Sequence, residues 1–144
     1  MADEQGQPKP RRVERSVEIR VAARLENLAV VRTLVAAVAA FEDLDFDVVA
    51  DLRLAVDEAC TALIRSAVPD SSLHLVVDPH DESVMITAST TCTGAAVLEP
   101  GSFSWHVLSS LTDEVNTFTN GDGPDDTGQV FGITLTTRRA SLLR

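Results

Sequence analysis

The chain has 144 residues, a hydrophobic fraction of 44% and a formal net charge of −10. This length suits one domain with its own hydrophobic core, and the apolar fraction is too high for a disordered protein. The negative charge disfavours direct contact with nucleic acid, because phosphate contacts require Lys and Arg. It favours a basic protein as partner, or serves solubility alone.

The sequence also argues against a membrane partner. No apolar run reaches the roughly 18 residues that a membrane span requires. The polar N-terminus does not resemble a signal peptide, so we expect a cytoplasmic protein. The two cysteines, Cys60 and Cys92, agree with that compartment. They have no spaced set of Cys and His residues around them, so neither a disulfide nor a metal site is predicted.

The N-terminal half predicts a tail, a strand and two helices. Residues 1–15 are polar and aperiodic, which indicates a disordered tail. Residues 17–21 alternate apolar and polar side chains and predict a strand, whereas residues 25–41 have the spacing of an amphipathic helix. An acidic connector follows, and Asp47 is predicted to cap a second helix that runs to about Val68.

The C-terminal half is richer in strands. Residues 89–101 and 120–128 predict loops, and residues 102–114 predict a third helix with Trp105, Leu108 and Leu111 at three-residue steps. Further strands are predicted at residues 73–77, 84–88, 115–118 and 130–137, and a tail at 140–144. This order predicts one α+β domain over residues 16–139, a two-layer sandwich with three helices on one face of a mixed or antiparallel sheet. The other face is open to water or to a second subunit.

The second helix carries the most informative pattern. Its core stripe is formed by apolar residues at three- and four-residue steps: Val49, Leu52, Val56, Ala59, Leu63 and Ala67. Glu58 and Ala62 lie one turn apart on a neighbouring face. The run Leu-Ala-Val-Asp-Glu-Ala-Cys-Thr-Ala, which ends at Ala62, resembles the nucleotide-pocket helix of the RsbW-like anti-sigma-factor serine kinases of the GHKL ATPase superfamily. The element order and the segment Leu-Thr-Asp-Glu-Val115 resemble that family too.

The resemblance implies an ATP site with altered residues. The Glu of the family motif serves as general base and corresponds to Glu58, whereas the Asn that holds Mg²⁺ corresponds to Ala62. The Asp that binds adenine falls on about Thr90, and only Gly94 remains of the glycines that follow it. The segment between Thr93 and Pro100 is short for a lid.

A second glycine-rich element of the family falls on Ser102 and Ser104, at the start of the third helix. These two serines can bind an anion or simply cap the helix. Glu58, in turn, can be a surface carboxylate paired with Arg53 or Arg65. With four features altered together, we expect binding of ATP and Mg²⁺ to be weak or lost.

The function implied by the resemblance is that of an anti-sigma factor. It would act as a homodimer and hold an alternative sigma factor, of sigma-F or stress type, away from RNA polymerase. Anti-anti-sigma proteins would then release the sigma factor. Family contact positions fall on Glu26 and Val30, and Arg32 can supply the charge that Val30 lacks. The alternative is an active serine kinase that phosphorylates its antagonist, with the metal held by Glu58 or Asp57. A homodimeric scaffold with unrelated partners is a third possibility.

Overall fold

The computed structural model describes residues 15–94, 97–120 and 128–139. These residues form five strands and three α-helices: β1 (Val17–Ala22), α1 (Leu28–Phe41), α2 (Phe46–Arg65), β2 (Ser72–Pro79), β3 (Ser83–Cys92), α3 (Phe103–Leu111), β4 (Glu114–Asn120) and β5 (Gln129–Arg138). A 3₁₀ turn, Leu25–Asn27, precedes α1. The predicted tails, residues 1–15 and 140–144, lie outside the described residues except for Arg15, and so does most of the predicted loop at 120–128. No helix within the described ranges is long and apolar enough to cross a membrane.

The strands form one sheet in the order β1-β2-β3-β5-β4. Every pairing among the described strands is antiparallel, so the sheet is antiparallel and not mixed. Alternate residues of the strands point to one face, where they join the buried residues of all three helices in a single core. The α+β prediction, with three helices on one face of the sheet, is therefore confirmed.

The core forms where the apolar stripes of the helices pack against the apolar face of the strands. Helix α1 contributes Val31 and Val35 at a four-residue step, and α2 contributes most of its predicted stripe. In β2, the residues Leu73, Leu75 and Val77 recur every second position and are almost completely buried. A helix with one apolar stripe and a strand with one apolar face can bury both only against each other.

The opposite face of the sheet carries small and polar side chains. Thr87 and Thr134 are register partners on β3 and β5, and their hydroxyl oxygens lie 3.4 Å apart. Phe118 of β4 lies over its register partner Gly132, where a Cβ atom would be 2.1 Å from the ring. A glycine at position 132 is therefore what lets the ring lie flat on the sheet.

Helix α2 differs from its prediction at both ends. Asp45, not Asp47, occupies the N-cap position, and its side chain accepts no capping hydrogen bond. Asp47 lies in the first turn, where a carboxylate interacts favourably with the helix dipole. The helix ends at Arg65 and not near Val68, because Ala67 bridges to Cys92 and leaves the helical path.

The loop predicted at residues 89–101 begins only after Cys92. Strand β3 continues to Cys92, and residues 89–92 pair with β5. They are small or polar, so the pattern of large apolar residues that marks a strand is missing there. Helix α3 is shorter than predicted: Thr112 is extended, with φ −135° and ψ 171°, and Glu114 already pairs with Thr136 in the sheet.

A buried carboxylate joins the end of α1 to the end of β5. The Arg139 side chain donates to Glu42 Oε1 at 2.6 Å, to the Glu42 backbone oxygen at 3.1 Å and to the His80 backbone oxygen at 2.9 Å. Arg15 approaches the same carboxylate at 3.3 Å. These contacts hold the beginning and end of the described domain against the α1–α2 connector.

Candidate functional site

The centre of the candidate site is a hydrogen bond between α2 and α3. The Ser104 hydroxyl donates to Glu58 Oε2 at 2.6 Å. Helix α2 presents Glu58 beside its buried stripe, and the first turn of α3 packs against it. The carboxylate predicted as general base therefore has a serine hydroxyl of its own chain in contact. The alternative pairing with Arg53 or Arg65 is not found among the ion pairs of the described residues.

The two serines at the start of α3 have different roles. Ser102 is the N-cap of the helix: its hydroxyl oxygen accepts a hydrogen bond from the Trp105 backbone N–H at 3.2 Å. The capping alternative is thus correct for Ser102 and wrong for Ser104, which faces Glu58 instead. Trp105 packs against the core.

Thr90, at the adenine position, lies inside β3 and not after it. Its side chain is buried, and its hydroxyl donates to the Ser72 backbone oxygen at 2.7 Å. Gly94 is exposed and adopts a positive φ of 73°. Beyond it, Leu98 is buried in the core and Val97 packs beside it. This part of the lid segment is fixed by apolar contacts.

Ala62 lies one turn after Glu58 and offers only a methyl group. Asp57, the other metal ligand considered, accepts a hydrogen bond from Arg32 Nε at 2.9 Å. Within the three described ranges, no group of three or more His, Cys, Asp or Glu side chains is arranged to hold a metal ion.

Burial raises the pKa of the Cys60 thiol to about 12 and that of Cys92 to about 11, so neither thiol is suited to chemistry at neutral pH.

The three predicted partner-binding residues lie on or near the first turns of α1. Glu26 belongs to the 3₁₀ turn, is exposed and pairs with Arg24 at 3.2 Å. Val30 is 50% exposed. Arg32 is half exposed and tied to α2 through its bond to Asp57. The structure therefore places these residues along one segment but gives Arg32 an intramolecular partner.

Sequence reasoning missed a second feature of α2. Its outer side carries Phe46, Ala50 and Leu54 at four-residue steps, and all three are exposed. The spacing itself was the available signal. This spacing lies on the side of α2 that faces away from its buried stripe.

Comparison with known proteins agrees with this architecture. The family model described as a histidine kinase-like ATPase domain matches residues 21–138, so the chain belongs to that family. It is similar, in particular, to the anti-sigma-F factor RsbW of two strains of Mycobacterium tuberculosis. In both comparisons the identity is 64% over 130 residues, which cover 90% of this chain and 77% of the relative.

Proposed function

We propose that the chain is a cytoplasmic anti-sigma factor that binds an alternative sigma factor of sigma-F type and withholds it from RNA polymerase. The observation that carries this proposal is the 64% identity, over most of both chains, to proteins named anti-sigma-F factor RsbW. The net charge of −10 supports it, because an acidic surface attracts a basic, nucleic-acid-binding protein and competes with its nucleic acid.

The surface that we assign to the sigma factor includes Glu26, Val30 and Arg32. Glu26 offers an exposed carboxylate and Val30 an exposed apolar side chain beside it. The bond between Arg32 and Asp57 holds the guanidinium in one place, which lowers the entropy lost when a partner binds to it. A charged contact flanking an apolar one is a common arrangement in protein interfaces.

We also propose that this activity does not depend on ATP. The donated bond from Ser104 occupies Glu58, and the side chain of Ala62 has no oxygen that could bind Mg²⁺. The buried Thr90 hydroxyl donates to a backbone oxygen, and Leu98 is held in the core where a lid would have to move. These residues do not fit a Mg-ATP complex, so we derive no phosphoryl-transfer step.

Regulation would then operate by exchange of protein partners. An anti-anti-sigma protein that uses part of the same surface cannot bind together with the sigma factor. It displaces the sigma factor by binding more tightly or by being present at higher concentration. We assign the homodimer contact to the sheet face that faces away from the helices, where Met85 and its register partner Thr136 are partly exposed. An isologous contact across such a face closes a dimer.

One observation favours the alternative, an active serine kinase. Glu58 accepts a bond from a serine hydroxyl at 2.6 Å, which is the interaction that a general base makes with a substrate serine. Transfer of phosphate from ATP to a purified antagonist, lost on Glu58→Ala, would support the kinase over partner exchange.

The test of the proposed function is inhibition of transcription in vitro. Purified chain is added to RNA polymerase reconstituted with a sigma-F-type factor and a matching promoter. A reaction with the principal sigma factor is the control for specificity. The proposal predicts dose-dependent inhibition of the first reaction alone, and Val30→Asp should weaken it. Equal transcription with and without the chain would refute the proposal.

A further inference from the structure

Most of the exposed large apolar side chains lie in one part of the molecule. Six are exposed among the described residues: Leu25, Val30, Phe41, Phe46, Leu54 and Phe103. All but Phe103 belong to α1, α2 or the turn before α1. A folded domain rarely leaves such side chains together in water, and large exposed apolar patches commonly mark interaction sites.

Three residues of α2 define what we term the α2 stripe: Phe46, Ala50 and Leu54. Phe46 is 90% exposed and Leu54 is 59% exposed. At 1.5 Å per residue, the stripe extends for about 12 Å along the helix. Four-residue spacing gives one continuous apolar line, which is the form that a second helix can pack against.

The α2 stripe leads into the surface assigned to the sigma factor. Arg32 and Asp57 line an open groove between α1 and α2, and Ala50, Arg53 and Leu54 line the same groove. The far end of the stripe, at Phe46, adjoins the α1–α2 connector. The stripe therefore continues the α1 surface across the groove and along α2.

Acidic side chains surround the connector end of the stripe. Asp43, Asp45, Asp47 and Asp51 are exposed, and none of them pairs with a cation among the described residues. Glu42 is different, because Arg139 and Arg15 already neutralise it. Four unpaired carboxylates beside an apolar line favour a partner that presents cations around an apolar face.

We propose that the α2 stripe, together with these four aspartates, binds a basic amphipathic helix of the sigma factor. This inference rests on the proposed function and adds a second contact region to it. The apolar face of the partner helix packs along Phe46, Ala50 and Leu54, and its Lys and Arg side chains reach the aspartates at the connector end. An amphipathic helix laid against an apolar groove is a recurrent mode of recognition.

The test measures the affinity of a purified sigma-F-type factor for the full chain by calorimetry. The double variant Phe46→Ser, Leu54→Ser should bind at least about tenfold more weakly, as interface anchors commonly do when truncated. Phe103→Ser is the matched control, because its ring is 80% exposed on α3, and its affinity should stay within about twofold of wild type. Circular dichroism confirms folding, and Ala50→Arg gives a second disruption that keeps helix propensity.

The charged part is tested separately. Asp47→Asn with Asp51→Asn should weaken binding at low salt and reduce the dependence of affinity on salt, because fewer cations are attracted. Asp70→Asn with Glu99→Gln removes the same charge from exposed positions outside α2 and the α1–α2 connector, and should change little. Asn tolerates the positive φ of 65° at position 70.

Each contrary outcome has a distinct meaning. If wild type binds the sigma factor and the stripe variants bind equally well, the inference is wrong and the proposed function stands. If wild type does not bind at all, the proposed function fails and this inference with it. If the stripe variants change the sedimentation mass of the free protein, the stripe is a contact between copies of this chain and the inference is again wrong.

Discussion

Replacing Glu42 by Gln should destabilise the domain, because Glu42 is the buried anion that joins α1 to β5. Its side chain is only 9% exposed, and it accepts a bond from Arg139 at 2.6 Å and from Arg15 at 3.3 Å. The Glu42→Gln change keeps the shape and one acceptor oxygen but removes the charge. The Arg139 guanidinium then remains partly buried without its counter-ion.

The expected loss of stability depends on how deeply the pairs of Glu42 with Arg139 and Arg15 are buried. A hydrogen bond to a charged group contributes about 1.5–3 kcal/mol, and this range suits the Arg139 contact. Arg15 is half exposed, so its contact is worth at most about 1 kcal/mol. We expect Glu42→Gln to lower the free energy of unfolding by about 2–3 kcal/mol, which corresponds to a fall in Tm of about 6–12 °C for a domain of this size.

The pH dependence gives an independent check. The hydrogen bond from Arg139 holds the pKa of Glu42 below its usual value of 4.5. The folded state thus binds the proton more weakly than the unfolded state does, and the stabilisation is complete above pH 4.5 and disappears as pH falls through the lower folded pKa. The stability difference between wild type and Glu42→Gln should therefore shrink as pH falls below 4.5.

Urea unfolding of both proteins, followed by Trp105 fluorescence between pH 7 and pH 3, measures these quantities. Arg15→Gln is the control and should cost less than about 1 kcal/mol. A loss below about 0.5 kcal/mol for Glu42→Gln, or a difference that does not change with pH, would refute the reasoning.

Three further predictions concern packing, capping and thiol reactivity. Gly132→Ala places a Cβ atom 2.1 Å from the Phe118 ring and should lower the free energy of unfolding in urea by about 1–3 kcal/mol. Adding Phe118→Leu should recover part of that loss, and an unchanged urea midpoint for Gly132→Ala would contradict the close approach. Ser102→Ala removes the N-cap of α3 and should cost about 1 kcal/mol, whereas no loss would mean that the cap contributes nothing. Because burial raises the pKa of the Cys60 thiol to about 12 and that of Cys92 to about 11, both should react slowly with an aromatic disulfide reagent at pH 8 and rapidly in urea. Fast reaction in native buffer would show that the thiols are accessible.

Periodicity was enough to predict the fold, because each layer has a face that must be buried. The alternation in residues 17–21 and the helical spacing in residues 25–41 both correspond to elements of the structure. The pattern failed where burial does not require large side chains. Strand β3 continues through Thr90 to Cys92 with small residues, and its pairing with β5 decides the structure there.

The candidate site was predictable only in part. The resemblance indicated Glu58, Ala62 and the two serines as positions of interest, and Ser102 does cap α3. The contact between Ser104 and Glu58 was not predictable, because the two residues are 46 positions apart and meet only when α3 packs on α2. Local sequence patterns carry no information about such a tertiary contact.

The central claim is that this chain binds a sigma factor without help from nucleotide. Its most direct test is a calorimetric titration of a sigma-F-type factor into the purified chain, first in nucleotide-free buffer and then with millimolar Mg-ATP. We expect saturable binding with the same affinity in both buffers and no heat from Mg-ATP alone. Binding that appears only with Mg-ATP, or no binding in either buffer, would contradict the claim.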